Sequence, residues 1–461
     1  MDLILFKATS IKIRQILTDF FTKGQDRSIK IKKNILASFV IKGLSIAISL
    51  VLVPLTINYV NPTQYGIWLT LSSIVAWLSF FDIGLGNGLR NKFAQALAKE
   101  KFKLARIYVS TTYAILSIII TVILILFFYI NSFLDWSKIL NTPASMASEL
   151  SVLSLLVAIF FCFQLVLKLI TTIIIANQQP WEASFINLIG SIVSLTVIFI
   201  LTKTTVGNLI YLAIAIGLTP CLVLIIFSYF LFRTTYKSFI PSLKLVNFKY
   251  AKNLLKTGGS FFIIQIGTIV LFQTDNILIS QIFGPQEVTT FNIAYKLFLT
   301  LLMLFEIIMA PLWSAFTEAY EKNDMRWIND VFTKTKKYWL YFVFATIALL
   351  TISPIIFKLW IGESVHIPMS LSFVMSIFIL GNSWMMIHCS LLNGIGKIRL
   401  QVYIYVVTIF VNIPLAYLLG KSIGLVGIIL SNLLIYFIMG VVLSIQSKKI
   451  IYRSATGLWN K

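Results

Sequence analysis

The chain has 461 residues, 58% of them hydrophobic and only 12% charged, with 38 Lys/Arg against 16 Asp/Glu and a formal net charge of +22. Mean hydropathy is +0.92. That balance excludes a soluble globular protein. At this hydropathy a basic surplus reflects membrane orientation, so no nucleic acid is expected as a partner.

Residues 1–34 open the chain as a basic segment with apolar patches at Leu3 to Phe6, Ile11, Ile13, Ile16, Leu17, Phe20 and Phe21. The pattern predicts an amphipathic stretch lying in the membrane interface. It is not a signal peptide, because its first apolar run ends at Phe6 and no small-residue cleavage site follows. Apolar runs then predict spans near 35–60, 65–89, 107–130, 150–176, 183–202 and 208–232. After a basic segment at 233–257 they resume near 258–282, 290–314, 338–359, 369–393, 402–419 and 425–446. Ile107 to Ile130 is typical, with no charge along its whole length.

Lysine and arginine placement sets the orientation, since basic loops resist translocation. With the N-terminus inside, the inner segments hold 31 of the 38 cations, whereas the outer loops hold Lys138, Lys203 and Lys421. Both termini are therefore expected in the cytoplasm. The expected organisation is an interfacial segment at 1–34, six helices over 35–232, a linker at 233–257, six more over 258–446, and a tail at 447–461.

An offset of 223 relates Pro62 to Pro285, Phe93 to Phe316, Ala96 to Ala319 and Lys99 to Lys322, at equivalent points of the two halves. The fold class expected is an all-α membrane protein of about twelve helices. Its two six-helix bundles are related by a pseudo-twofold axis along the membrane normal, and a transporter so built holds its site between them.

Ionisable residues inside spans are costly and mark candidate sites. Lys42 and Asp82 share a depth near the inner side, and Lys168 lies at a similar depth. Asp275 and Lys296 share an outer depth, and Glu306 falls near the midplane. Lys42–Asp82 and Asp275–Lys296 could be structural ion pairs. Alternatively Lys42, Arg90, Lys168 and Lys296 attract an anionic headgroup, while Glu306, Asp275 or Asp82 binds a coupling cation. Glu306 has no cation expected at its depth and is the first choice. Cys162, Cys221 and Cys389 have no paired spacing, and His366 and His388 stand apart, so neither a metal nor any other cofactor is predicted. Gly84 to Gly88 lacks the last glycine of a dinucleotide fingerprint, and Gly394-Ile395-Gly396-Lys397 is not a phosphate loop. No loop is long enough for a catalytic domain, so the chain is not read as an enzyme.

Tyr59-Val60-Asn61-Pro62-Thr63-Gln64-Tyr65-Gly66, then Phe81-Asp82-Ile83-Gly84-Leu85-Gly86-Asn87-Gly88-Leu89-Arg90 with Phe93 and Ala96, resemble the Wzx-type polysaccharide flippases. Gln273-Thr274-Asp275, Gly284 and Ile293-Ala294-Tyr295-Lys296 are similar to that family's helix 7–8 hairpin. The superfamily also holds the MATE drug exporters and the lipid II flippases. The resemblance implies translocation of an undecaprenyl-diphosphate-linked oligosaccharide across the bacterial inner membrane, driven by proton or sodium antiport. It implies membrane lipid as a partner and a polysaccharide polymerase or chain-length machinery downstream. A cation-coupled drug exporter would need a cavity rich in carboxylates, and a membrane glycan polymerase would need a large outer loop.

Overall fold

A computed structural model describes residues 26–82, 84–177, 179–251, 266–267, 270–271 and 273–460. Most of the expected interfacial segment and the first half of the seventh span fall outside these residues. Among the described residues there is no strand, and eleven helices are long and apolar enough to cross a membrane. The described part of the seventh span is helical over 273–283.

Helix α1 (Asp26–Val60) starts more than two turns before the predicted span, so the basic stretch before residue 35 continues into the membrane helix. The second predicted span, by contrast, is broken. Helix α2 (Pro62–Ala76) gives way to a 3₁₀ turn (Trp77–Asp82), and the chain restarts as α3 (Leu85–Ala98). The sequence explains both breaks. Asn61, at φ 77°, accepts from Gln64 N at 2.9 Å through its side chain, and Pro62 supplies a first-turn residue that needs no hydrogen bond. Gly84 takes a left-handed φ of 75°, and Asp82 Oδ1 accepts from Gly86 N at 3.1 Å, capping α3. The Asp-x-Gly-Leu-Gly motif is thus a helix-restart device.

The first bundle continues through α4 (Phe102–Asn131), short α5 (Trp136–Leu140), α6 (Ala147–Leu167), α7 (Leu169–Ala176), α8 (Pro180–Thr204) and α9 (Leu209–Ala213). A π-helical turn (Ile214–Leu218) leads into α10 (Thr219–Arg233). The segment after Arg233 is fastened to this bundle. Arg106 Nε donates to Ile240 O at 2.9 Å, Ser242 N donates to Ser110 Oγ at 3.1 Å, and Asn247 N donates to Thr111 Oγ1 at 3.1 Å. Residues 236–250, within the predicted linker, are therefore strapped to α4.

The second bundle holds α11 (273–283), α12 (Pro285–Glu321), α13 (Met325–Ile361), α14 (Met369–Gly394), α15 (Arg399–Ile423) and α16 (Leu425–Ile451). The predicted tail folds back onto its basic end. Lys397 Nζ donates to Asn460 O at 2.8 Å, and Gln446 Nε2 donates to Trp459 O at 3.2 Å.

The offset pairs occupy equivalent places. Pro62 and Pro285 open their helices, and Lys99 and Lys322 directly follow the ends at Ala98 and Glu321. Phe93 and Phe316 are both 0% exposed. One difference separates the copies: α12 is continuous where α2 and α3 are split. Across the bundle interface α2 packs along α12, and α1 touches α12 and α13. In lipid this contact gains no hydrophobic drive, so close packing and hydrogen bonds carry it.

Candidate functional site

Between the bundles lies a cavity in two connected lobes of about 380 and 250 Å³, which share Tyr65, Leu69 and Lys296. The larger lobe is framed by two local departures from regular helix. Lys168 sits at the junction of α6 and α7, and the π-helical turn places Ile216 and then Pro220 in the wall. Gln164 Nε2 donates to Gly217 O in that turn at 3.2 Å, holding the two irregularities together. Asn187, Ser191 and Ser194 of α8 add one polar helical stripe. The smaller lobe runs along Ile46, Ser49 and Leu50 of α1 and Leu299, Thr300 and Met303 of α12.

Two lysines, Lys168 and Lys296, line this space, and among the described lining residues there is no Asp or Glu. Neither lysine is paired with a carboxylate among the described residues. Burying an unpaired cation is unfavourable, so such a cavity favours an incoming anion.

The other predicted residues are placed differently. Lys42 and Asp82 do not pair. Because the second span breaks at Trp77, the Asp82 carboxylate turns to the α3 backbone, while Lys42 on α1 lies within electrostatic range of Glu306 on α12. The expectation that Glu306 has no cation at its depth is therefore corrected. Both groups are exposed, and their helices carry them past Ile46 and Met303, toward the basic end of the small lobe. Asp275 and Lys296 do not pair either. Equal depth did not mean equal direction: Lys296 faces the cavity, whereas Asp275 points into the second bundle. There its Oδ2 accepts from Asn432 Nδ2 at 2.6 Å. Asn432 Oδ1 in turn accepts from Asn412 at 2.7 Å, and Asp275 Oδ1 has no hydrogen-bond partner among the described residues. A hollow of about 30 Å³ borders Asp275, Asn276, Asn292 and Asn432, room for one water or small cation. Arg90 is exposed on α3, outside both lobes. Cys162, Cys221 and Cys389 are free and buried, and no group of three metal-ligating side chains occurs among the described residues.

The cavity is closed at its cation-poor end. Thr289 Oγ1 donates to Pro62 O at 2.6 Å, and Asn276 Nδ2 donates to Ser73 Oγ at 2.8 Å. Ser280 Oγ donates to Leu140 O at 2.9 Å, and Asn141 Nδ2 donates to Ser280 O at 3.1 Å. Gln281 Nε2 adds a bond to Lys138 O at 2.8 Å. A further bond joins the bundles beside the small lobe, where Trp360 Nε1 donates to Leu50 O at 2.8 Å. Two helical bundles around a charged cavity, bridged at its cation-poor end, have the architecture of a membrane transporter.

The chain belongs to the polysaccharide biosynthesis protein family, whose model matches residues 31–316. The MatE family model matches residues 261–418. A Yersinia pseudotuberculosis protein named for O-antigen export is 24% identical over 83% of this chain and 86% of its own length. A Salmonella typhi protein named for O-antigen transport is 22% identical over 66% and 70%. Among solved structures, an inward-facing multidrug resistance MATE transporter of the MOP superfamily superposes with TM-score 0.68 at 16% identity, covering 90% of this chain and 94% of its own. An outward-facing one gives 0.66, also at 16% identity, covering 92% and 96%. Both share the two-bundle fold.

Of the cavity residues, Lys168 and Lys296 were legible from the sequence as charges within spans. Tyr65 was quoted only within the Tyr59–Gly66 motif, and Trp68, Asn187, Ser191 and Ser194 were not singled out, although the last three stand at i, i+4 and i+7 on α8.

Proposed function

We propose that this membrane transporter of polysaccharide precursors moves an undecaprenyl-diphosphate-linked oligosaccharide from the inner to the outer leaflet of the bacterial inner membrane, by alternating access and cation antiport. The observation that carries the reading is the cavity with two unpaired lysines and no carboxylate among its described lining residues. A diphosphate cannot cross hydrocarbon unaided, and Lys168 and Lys296 supply counter-charge along a wet path while the isoprenoid tail stays in lipid. The family match and the O-antigen relatives support the substrate class. The basic end, with Lys42 and Arg90 exposed on it, faces the cytoplasm by the cation count, as do both termini. The bridged cation-poor end then makes this an inward-open arrangement. A polysaccharide polymerase consumes the product outside.

A cationic-drug exporter is disfavoured by the same lining. Coupling falls to Asp275 ahead of Glu306. Asp275 has one oxygen without a hydrogen-bond partner among the described residues, beside a hollow sized for a small cation, whereas Glu306 is exposed, with Lys42 within electrostatic range. Asp82 drops behind both because it caps α3. The test is genetic and chemical. Deleting the gene should abolish surface polysaccharide and leave lipid-linked repeat units accumulating inside. A plasmid copy should restore export, and one carrying Lys168→Ala with Lys296→Ala should not, at equal protein level. Normal surface glycan in the deletion strain would end the proposal.

A further inference from the structure

The second bundle carries an apolar groove of about 340 Å³ between α13, α14 and α16 that shares no lining residue with the transport cavity. Trp339, Trp384 and Phe437 wall it, and Gly381 and Gly440 leave its floor bare. The glycines create the space. A Cβ at Gly381 would just touch Leu433 Cδ1 at 3.5 Å, and one at Gly440 would press on Trp384 Cδ1 at 3.1 Å. The indoles pack edge to face at 4.9 Å, and Trp339 Nε1 is satisfied by Ser383 Oγ at 3.0 Å. The wall is therefore preformed and almost wholly apolar.

Two cations stand at the basic end of this groove. Lys336 precedes Trp339 by one turn, with Nζ 4.6 Å from the Phe332 ring centroid and 5.9 Å from that of Trp384. Lys448 continues the helical stripe of Phe437, Val441 and Ser444, about 10 Å beyond Val441 at the rise of an α-helix. Helix α16 packs against α13, which carries Lys336 at the same end of the groove. Neither is paired with a carboxylate among the described residues, and α14 and α16 contain no Asp or Glu. Two unpaired cations at one end of the groove call for an anion there, and the groove beside them calls for a hydrocarbon chain.

We propose that this groove and the Lys336–Lys448 pair bind an anionic phospholipid, its acyl chain along Trp384 and Gly381 and its phosphate bridging the two lysines. The lipid would brace α13, α14 and α16 from the membrane side.

The test uses the full-length protein reconstituted in phosphatidylcholine vesicles doped with phosphatidylglycerol, then extracted mildly for native mass spectrometry of retained lipid. Wild type should retain phosphatidylglycerol in preference to phosphatidylcholine. Lys336→Gln should weaken that retention about fivefold, and the pair Lys336→Gln with Lys448→Gln about thirtyfold, at the affinity expected per interfacial cation. Replacing both lysines with Arg should preserve it. Gly381→Leu, which fills the groove and leaves the lysines, should lower retention as well. Equal retention of the two lipids by wild type would overturn the proposal, as would wild-type retention by the double Gln variant. Undecaprenyl phosphate displacing phosphatidylglycerol at equal amounts would overturn it too, by assigning the groove to the substrate's carrier.

Discussion

Replacing Gly66 with Ala would put a methyl group where α2 meets the first turn of α12. The backbone there has no room: the added Cβ would fall on the Pro285 carbonyl oxygen and only 3.1 Å from Thr289 Oγ1. The two helices must separate for it to fit, and separation also breaks the Thr289–Pro62 hydrogen bond of 2.6 Å. Overpacking costs about 1–3 kcal/mol and the lost hydrogen bond about 1, so the closed cation-poor end should weaken by roughly 2–4 kcal/mol. That would shift the balance toward the opposite opening by a factor of roughly thirty to a thousand. The assay places a single cysteine at Ser49, in the small lobe, in a background lacking Cys162, Cys221 and Cys389. Impermeant reagent added outside intact cells should miss Ser49→Cys in the parent and label it in the Gly66→Ala variant. If labelling from outside is unchanged while the variant is folded and present, the closure described at Gly66 does not control access.

Orientation is tested with cysteines at loop tips: external reagent should reach Lys203→Cys and Lys421→Cys and miss Lys244→Cys. Asp275→Asn should leave substrate binding intact and abolish the response of transport to an imposed ion gradient, while Glu306→Gln keeps that response; the reverse pattern would restore Glu306 as the coupling group. Asp82→Ala removes the α3 cap and should cost about 1 kcal/mol of stability, read as an earlier unfolding transition, with Asn recovering most of it. In the loop after α4, hydrogen bonds from Ser137 and the Lys138 backbone, with the adjacent Lys138 charge, hold Asp135 down at about 2, against 3.8 ordinarily. Its contribution is therefore fully present above pH 3.8 and lost as pH falls through 2, so Trp136 fluorescence in an otherwise Trp-free variant should hold steady until that window.

The charges within spans were legible in the sequence, and their direction around each helix was not. Counting 1.5 Å per residue put Lys42 level with Asp82 and Asp275 level with Lys296. Yet a helix carries its side chains through 360° in under four residues, and nothing local says which side meets the partner bundle. The break at Trp77–Gly84 compounded this, since the apolar run passes through it without interruption. Its signal was present in Asp82 and Gly84, a cap and a left-handed glycine two residues apart, but hydropathy hides it. The duplication was legible because Pro62, Pro285, Phe93 and Phe316 do the same physical work in each half. The strap at 236–250 was not, because its attachment uses backbone carbonyls and the hydroxyls of Ser110 and Thr111, which carry no distinctive pattern.

The central claim is that the lysine-lined cavity carries an anionic lipid-linked glycan. The most direct measurement is translocation of fluorescent undecaprenyl-diphosphate-linked oligosaccharide in proteoliposomes under an ion gradient, read by quenching from outside. The account predicts gradient-driven movement by wild type, loss of that movement in Lys168→Ala with Lys296→Ala, and partial recovery with Arg at both positions. Undiminished translocation by the double Ala protein would contradict it, as would movement of cationic drugs in place of the glycan.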